Sequence, residues 1–257
     1  MSRVVLVTGA SGGIGRALCK RFLDAGDTVL ALDRDAAGVQ QLADEIGAAR
    51  LEPLAADVSD QVAVNDAVAR GVAARGPVDV AVANAGGALG TTLAHTDAAS
   101  WRRDVELNLN GAYYTVEAVR ASMIERRSGV LVLIGSVNGL TALGHPAYSA
   151  AKAGLVSYTK ALAMELGPHG IRANIVCPGT VKTPAWRVRV EQHPKIFEEL
   201  SKWYPLGDVA TPEDIADAVQ FLASPQARVI TGVALPVDAG LMAGNRLMAN
   251  ELTLDPF

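Results

Sequence analysis

Short apolar runs recur along the chain, each closed by polar or glycine-rich positions: VVLVT at 4–8, TVLALD at 28–33, LEPLAAD at 51–57, VDVAVAN at 78–84, VLVLIGS at 130–136 and IRANIVCP at 171–178. Near-continuous valine- and leucine-rich stretches of this length predict strands buried on both faces. Between them lie longer stretches that predict helices, at 14–25, 36–46, 62–74, 101–126, 147–166 and 212–223, and a last short strand is expected near 233–237. Strand and helix alternate throughout. That order predicts an α/β fold of about seven parallel strands, doubly wound, with right-handed crossovers and helices on both faces. Ligands then bind beyond the carboxyl ends of the strands. One segment breaks the alternation. From 183 to about 206 the charges and the aromatics Trp186, Phe197, Trp203 and Tyr204 show no clear core period and predict a lid, and a tail is expected at 242–257.

At 257 residues, with no linker, repeat or long charge run, the chain is expected to form one domain, 1–257. A net charge of −4 gives no basic footprint for a nucleic-acid backbone. Cys19 and Cys177 lie far apart and have no partner at metal-binding spacing, so neither a disulfide framework nor a metal site is expected. The first residues run straight into the apolar stretch at 4–7 without a signal-peptide pattern, and no apolar run reaches the ~18 residues of a membrane span. A cytoplasmic protein is the expectation.

Candidate chemistry begins where the first strand ends. Thr8-Gly9-Ala10-Ser11-Gly12-Gly13-Ile14-Gly15 leads directly into a helix. Glycines there permit a tight turn, close approach of the backbone to a pyrophosphate and close packing of the helix start, while the helix N-terminus attracts phosphate. The second strand ends at Asp33, about 20 residues on, where a carboxylate hydrogen-bonds the ribose hydroxyls of an adenosine. The same carboxylate repels a 2′-phosphate. NAD is therefore favoured over NADP, although Arg34 follows Asp33 and offers a clamp for a phosphate. Further along, Tyr148 and Lys152 stand four apart on one helix face. An ammonium beside a phenol favours the phenolate and is expected to lower the tyrosine pKa towards the range of a general acid/base. Ser136, at another strand end, is positioned to polarise a carbonyl oxygen.

Taken together, Thr8-Gly9-x-x-x-Gly13-x-Gly15, Asn84-Ala85-Gly86, Ser136 and Tyr148-x-x-x-Lys152 resemble the short-chain dehydrogenase/reductase family in order and spacing, from Val5 to about Gly240. The resemblance implies a single-domain Rossmann-type fold and an enzyme that oxidises CH–OH groups or reduces the matching ketones with NAD(P). It assigns proton transfer to Tyr148, support of that tyrosine and of the nicotinamide ribose to Lys152, and orientation of the substrate oxygen to Ser136. Asn108 matches the fourth catalytic position, which helps hold a proton-relaying water, with Asn110 as its neighbour and competitor. The glycine turn, with Ser11, Gly12 and Ile14, holds the cofactor together with Asp33 and Arg34. Asp57 and Val58 match the pair at the adenine, and Asn84, Ala85 and Gly86 the stretch along its ribose. Pro178, Gly179, Val181 and Thr183 match the nicotinamide carboxamide segment.

Two departures stand out. The interval from Ser136 to Tyr148 is one residue shorter than in the compared members, which reshapes a substrate-facing loop carrying Asn138 and His145. Asp238-Ala239-Gly240 stands where the family usually has Asp-Gly-Gly, and is expected to alter a turn. Asn138, His145 and Trp186 are the candidate substrate contacts. The favoured reading is an NAD-dependent dehydrogenase of a sugar, polyol or small hydroxy compound, with no metal, acting as a homotetramer. The alternative is an NADPH-dependent reductase of 3-oxoacyl thioesters, which Arg126, Arg127 and Arg172 would serve by meeting an acidic carrier.

Overall fold

The computed structural model describes residues 2–46 and 49–254. Seven strands form one parallel sheet: β1 (Val4–Thr8), β2 (Thr28–Asp33), β3 (Leu51–Ala55), β4 (Val80–Ala83), β5 (Gly129–Ile134), β6 (Ile171–Pro178) and β7 (Ala234–Val237), in the order β3-β2-β1-β4-β5-β6-β7. Pro53 is tolerated in β3 because that strand lies at the sheet edge, where no ladder donor is required on the outer side. The helices are α1 (Gly13–Asp24), α2 (Ala36–Ile46), α3 (Gln61–Arg75), α4 (Ala98–Val105), α5 (Gly111–Arg126), α6 (Pro146–Leu166), α7 (Arg187–Gln192), α8 (Ile196–Ser201), α9 (Pro212–Ala223) and α10 (Arg246–Thr253).

The period-two geometry of a strand sorts its side chains onto two faces. Val5, Val7, Val29 and Ala31 pack with Leu18 and Phe22 of α1, Leu42 of α2 and Val219 of α9. Leu6, Leu30 and Leu32 turn to the other face and meet Val64 and Val68 of α3, Val116 and Met123 of α5 and Leu155 of α6. Continuous apolar runs are thus explained by two cores, one on each side of the sheet.

The stretch at 101–126 is not one regular helix, as the periodicity suggested. It consists of α4, a π-helical turn at Glu106–Asn110, and α5. The wider turn carries the buried Asn108, whose amide reaches out of the helix to Gly87. Such turns are rare and concentrate at functional positions. The lid, too, has regular structure, in the short helices α7 and α8. In the tail, α10 ends at Thr253, and residues 255–257 of the expected tail lie outside the described residues.

Chain order reverses in the sheet between β1 and β4, the strands that follow each other across the centre. At such a switch point the connections leave to opposite faces and open a crevice at the carboxyl ends. Thr8 and Asn84 stand there, with Ser136 beside them at the end of β5.

Candidate active site

The crotch between β1 and β4 is tied by one threonine and one asparagine. Asn84 and Ala85 donate their backbone N–H groups to Thr8 Oγ1 at 3.1 and 3.2 Å, and Asn84 Nδ2 donates to the Thr8 carbonyl at 2.8 Å. The glycine turn then fits into this corner. A Cβ on Gly9, whose φ is +66°, would lie 2.8 Å from Ala85 Cα, and one on Gly15 would lie 2.0 Å from the Gly9 carbonyl oxygen. Side chains are excluded there by backbone, which leaves a bare cradle in front of α1.

Around this cradle lies a cavity of about 500 Å³ lined by Gly9, Ser11, Gly12, Gly13, Ile14, Gly15, Asp33, Arg34, Asp57, Val58, Asn84, Ala85, Gly86 and Thr183. The residues expected along an adenosine are therefore brought together. Asp33 has a second task that the sequence did not disclose. Its Oδ2 accepts from the Ser11 backbone N–H at 2.9 Å and from the Ser11 hydroxyl at 2.7 Å, and Oδ1 accepts from the Asp35 N–H. Asp57 is held below the usual carboxylate range chiefly by the Ser59 N–H, then by the Ser59 hydroxyl, with Arg34 adding a smaller favourable charge. Its carboxylate caps a turn, and the residue lines the cavity.

A second cavity of about 1240 Å³ adjoins the first and contains Ser136, Tyr148 and Lys152, together with Pro178, Gly179, Val181 and Thr183. Pro146 begins α6, which places Tyr148 and Lys152 one helical turn apart. Lys152 is 3% exposed; its Nζ donates to the Ile134 carbonyl at 2.7 Å and lies 5.5 Å from the Tyr148 ring centroid. Burial lowers the lysine pKa from 10.5 to about 8. Tyr148 moves against expectation. Burial pushes its phenol above the ordinary tyrosine value, and the Ser136 hydroxyl only partly opposes this. Desolvation is the largest cause, and the charges of Cys177 and Asp104 push the same way.

Asn108 is absent from both cavity walls and stands behind one of them. Its Oδ1 accepts from Gly87 N–H at 3.0 Å, and its Nδ2 donates to the Gly87 and Asp104 carbonyls at 2.7 and 2.8 Å. A Cβ on Gly86 would come within 2.7 Å of Asn108 Oδ1 and 3.2 Å of Lys152 Nζ, so both side chains flank one point. Asn110, the competitor, donates to Glu106 instead.

All three candidate substrate contacts line the larger cavity. Asn138 is partly committed, since its Nδ2 donates to Ser149 Oγ at 3.1 Å and its backbone N–H to Ser136 Oγ at 3.1 Å. His145 adopts the left-handed region, φ 52°, with Nδ1 3.0 Å from the Gly90 carbonyl. Trp186 packs on Phe197 across the lid, with ring centroids 5.5 Å apart. Tyr204 both lines the larger cavity and pins its wall: buried, it donates to Thr180 Oγ1 at 2.8 Å and accepts the Thr180 N–H at 3.1 Å. The tail folds onto its own chain, and Met242, Asn245, Arg246 and Leu247 complete the rim. Nothing in the local pattern of the tail predicts this, because it depends on the path of the chain after β7.

The arginines considered for an acidic carrier are engaged internally. Arg126 binds Asp79 and the Val78 carbonyl, Arg127 the Pro168 carbonyl, and Arg172 the Ile230 and Ser224 carbonyls. No helix among the described residues is long and apolar enough to cross a membrane.

Comparison with known proteins bears on the family and the fold. A family model described as an enoyl-(acyl carrier protein) reductase matches residues 9–242. An uncharacterized oxidoreductase of Schizosaccharomyces pombe is 45% identical over 252 residues, 97% of this chain and 95% of that protein. A galactitol 2-dehydrogenase (L-tagatose-forming) of Cereibacter sphaeroides is 36% identical over 238 residues, covering 91% of this chain and 92% of its own length. The crystal structure of an oxidoreductase of the short chain dehydrogenase/reductase family from Burkholderia thailandensis matches with a TM-score of 0.95 at 57% identity, over 100% of this chain and 99% of that one.

Proposed function

The chain belongs to the short-chain dehydrogenase/reductase family of oxidoreductases acting on CH–OH groups, and on that premise we propose an NAD(H)-dependent enzyme that interconverts a secondary alcohol, of a sugar, polyol or small hydroxy compound, and its ketone or lactone. The observation that carries this reading is the buried Lys152 beside Tyr148, with Ser136 on the same cavity wall and the glycine cradle adjoining it.

The cavity fits a dinucleotide because it opens at the start of α1, where the turn packs too closely on Ala85 for a Cβ at Gly9, and Asp33 lines the same cavity. Asp33 accepts from ribose hydroxyls and repels a 2′-phosphate, which supports NAD over NADP. When bound, the nicotinamide supplies the hydride acceptor for oxidation and the donor for reduction. Oxidation needs Tyr148 as phenolate, which burial disfavours, so this direction gains with rising pH; the phenolate takes the hydroxyl proton of the alcohol while Ser136 holds that oxygen in place. Lys152 steadies the phenolate and the ribose from below. Asn108 is a positioning residue whose amide holds Gly87, next to the Gly86 that packs beside Lys152; support of a proton-relaying water is the role that the family resemblance gives it. In reduction the same proton returns from the Tyr148 hydroxyl to the carbonyl oxygen.

The substrate class draws on the galactitol 2-dehydrogenase among the relatives. Of the arginines that would serve the thioester alternative, Arg126 and Arg172 are partly buried and committed to internal bonds, while the exposed Arg127 bonds the Pro168 carbonyl. Cytoplasmic residence fits two buried free cysteines. A homotetramer through α5, α6 and the edge strand β7 completes the proposal, and a monomer in light scattering would refute that part.

The test follows NADH or NADPH formation by absorbance with purified enzyme, offering each oxidised cofactor with polyols, sugars and 3-hydroxyacyl thioesters. Turnover of a polyol or sugar with NAD is expected. Turnover confined to NADP and thioesters would replace this reading with the alternative.

A further inference from the structure

The larger cavity has an unusual charge balance. Four cations line it, Lys152, Arg189, Lys202 and Arg246, and no carboxylate does among the described residues. This runs against the chain as a whole, whose net charge is −4. Lys152 is buried at the reacting end, whereas the other three are exposed at the mouth and come from three separate elements: Arg189 from α7, Lys202 from the end of α8 and Arg246 from the first turn of α10.

Their surroundings differ from those of neighbouring cations. Arg187 pairs with Glu191 and Lys182 with Asp208, on the same lid and its base. Arg189, Lys202 and Arg246 have no ion pair among the described residues. Two of them rest on aromatic faces instead: Arg189 lies 4.8 Å from the Trp186 ring centroid and Lys202 5.3 Å from that of Trp203, and both tryptophans line the cavity. A guanidinium or ammonium stacked in this way keeps its charge while one side is shielded from water. A mouth carrying one sign of charge over apolar walls concentrates ligands of the other sign.

Resting on the hydride-transfer reading above, we propose that the alcohol or ketone turned over here carries an anionic group, held at the cavity mouth by Arg189, Lys202 and Arg246 while its reacting carbon lies against Tyr148. The recognised chemistry is a carboxylate, sulfonate or phosphate at the end of the substrate remote from the reacting carbon. The cavity also has apolar lining, Leu200 and Leu247 among it, which suits a short carbon chain.

The experiment uses stable oxo acids, 4-oxopentanoate, 5-oxohexanoate and 6-oxoheptanoate, each beside its methyl ester, with the intact enzyme and NADH. For at least one chain length the acid is expected to have a KM about tenfold or more below that of its ester, the size of a charge-assisted contact, and the preference should shrink as salt is raised. In Arg246→Gln and Lys202→Gln the acid-to-ester ratio falls towards unity. A second readout does not require turnover. Trp186 and Trp203 are two of the three tryptophans, so alkyl carboxylates, sulfonates and phosphates of matched length should change the intrinsic fluorescence saturably, whereas the corresponding alcohols should not. The anion that binds most tightly identifies the class. Equal KM values for acid and ester at every length, or the same fluorescence titration for anions and alcohols, would overturn the inference. If no alcohol or ketone is turned over with either cofactor, the parent reading fails, and the fluorescence titration still decides the anion site by itself.

Discussion

Asp33 binds Ser11 twice, through the backbone N–H at 2.9 Å and the hydroxyl at 2.7 Å, so the end of β2 holds the glycine turn that follows β1. The carboxylate proposed to select the cofactor therefore also shapes the glycine turn.

Two variants separate these tasks. Asp33→Ala should raise the KM for NAD by about tenfold or more and reduce or reverse the preference over NADP, since a charged acceptor and a repulsive charge are lost together. Ser11→Ala removes only one hydroxyl bond and should leave the preference intact. Steady-state kinetics with both cofactors would check this, and an unchanged preference in Asp33→Ala would refute the selector role.

Lys152 predicts a pH dependence of stability. Its folded value of about 8 lies below the ordinary 10.5, so between these limits the unfolded chain binds the extra proton. The unfolded state is then favoured by low pH, and this penalty is present in full below about 8 and relieved as pH rises towards 10.5. Compared with Lys152→Met, which carries no such charge, the wild-type Tm should gain ground steadily from pH 7 to 10. A constant difference between the two thermal melts would show that burial leaves the lysine unperturbed.

Ala239 occupies the left-handed region at φ 49°, in the Asp-Ala-Gly turn that takes the place of Asp-Gly-Gly. Left-handed backbone costs an alanine roughly 1–2 kcal/mol, and glycine escapes this at some cost in unfolded-chain entropy. Ala239→Gly should therefore stabilise by up to about 1 kcal/mol, a rise in Tm of about 2–4 °C. The flanking Asp238 already holds the turn, accepting from Gly240 and Met242 N–H groups at 3.0 and 2.8 Å. A lower Tm in calorimetry would contradict the strain.

Much of the framework was legible because it is local. Val5 and Leu6 announce a strand buried on both faces, and the glycine turn, Asp33 and the Tyr148/Lys152 spacing are set by residues near one another in sequence. The rest depends on distant parts meeting. The π-helical turn at Asn108 is anchored by Gly87, 21 residues away, and helical periodicity alone does not reveal it. Whether the tyrosine pKa rises or falls depends on the depth at which α6 packs, which residue spacing does not encode. The cationic mouth needs Arg189 and Arg246, far apart in sequence, on one rim, and only the folded tail brings them there.

The most direct measurement is Tyr148→Phe, with NADH binding followed by nucleotide fluorescence and turnover followed by absorbance on whichever alcohol the wild type accepts. Loss of the hydroxyl removes the proton carrier but not the ring, so NADH should bind with near wild-type affinity while turnover falls by about 10²- to 10⁴-fold or more. Retained turnover in a folded, NADH-binding Tyr148→Phe enzyme would contradict the assignment of Tyr148 as the proton-transfer group.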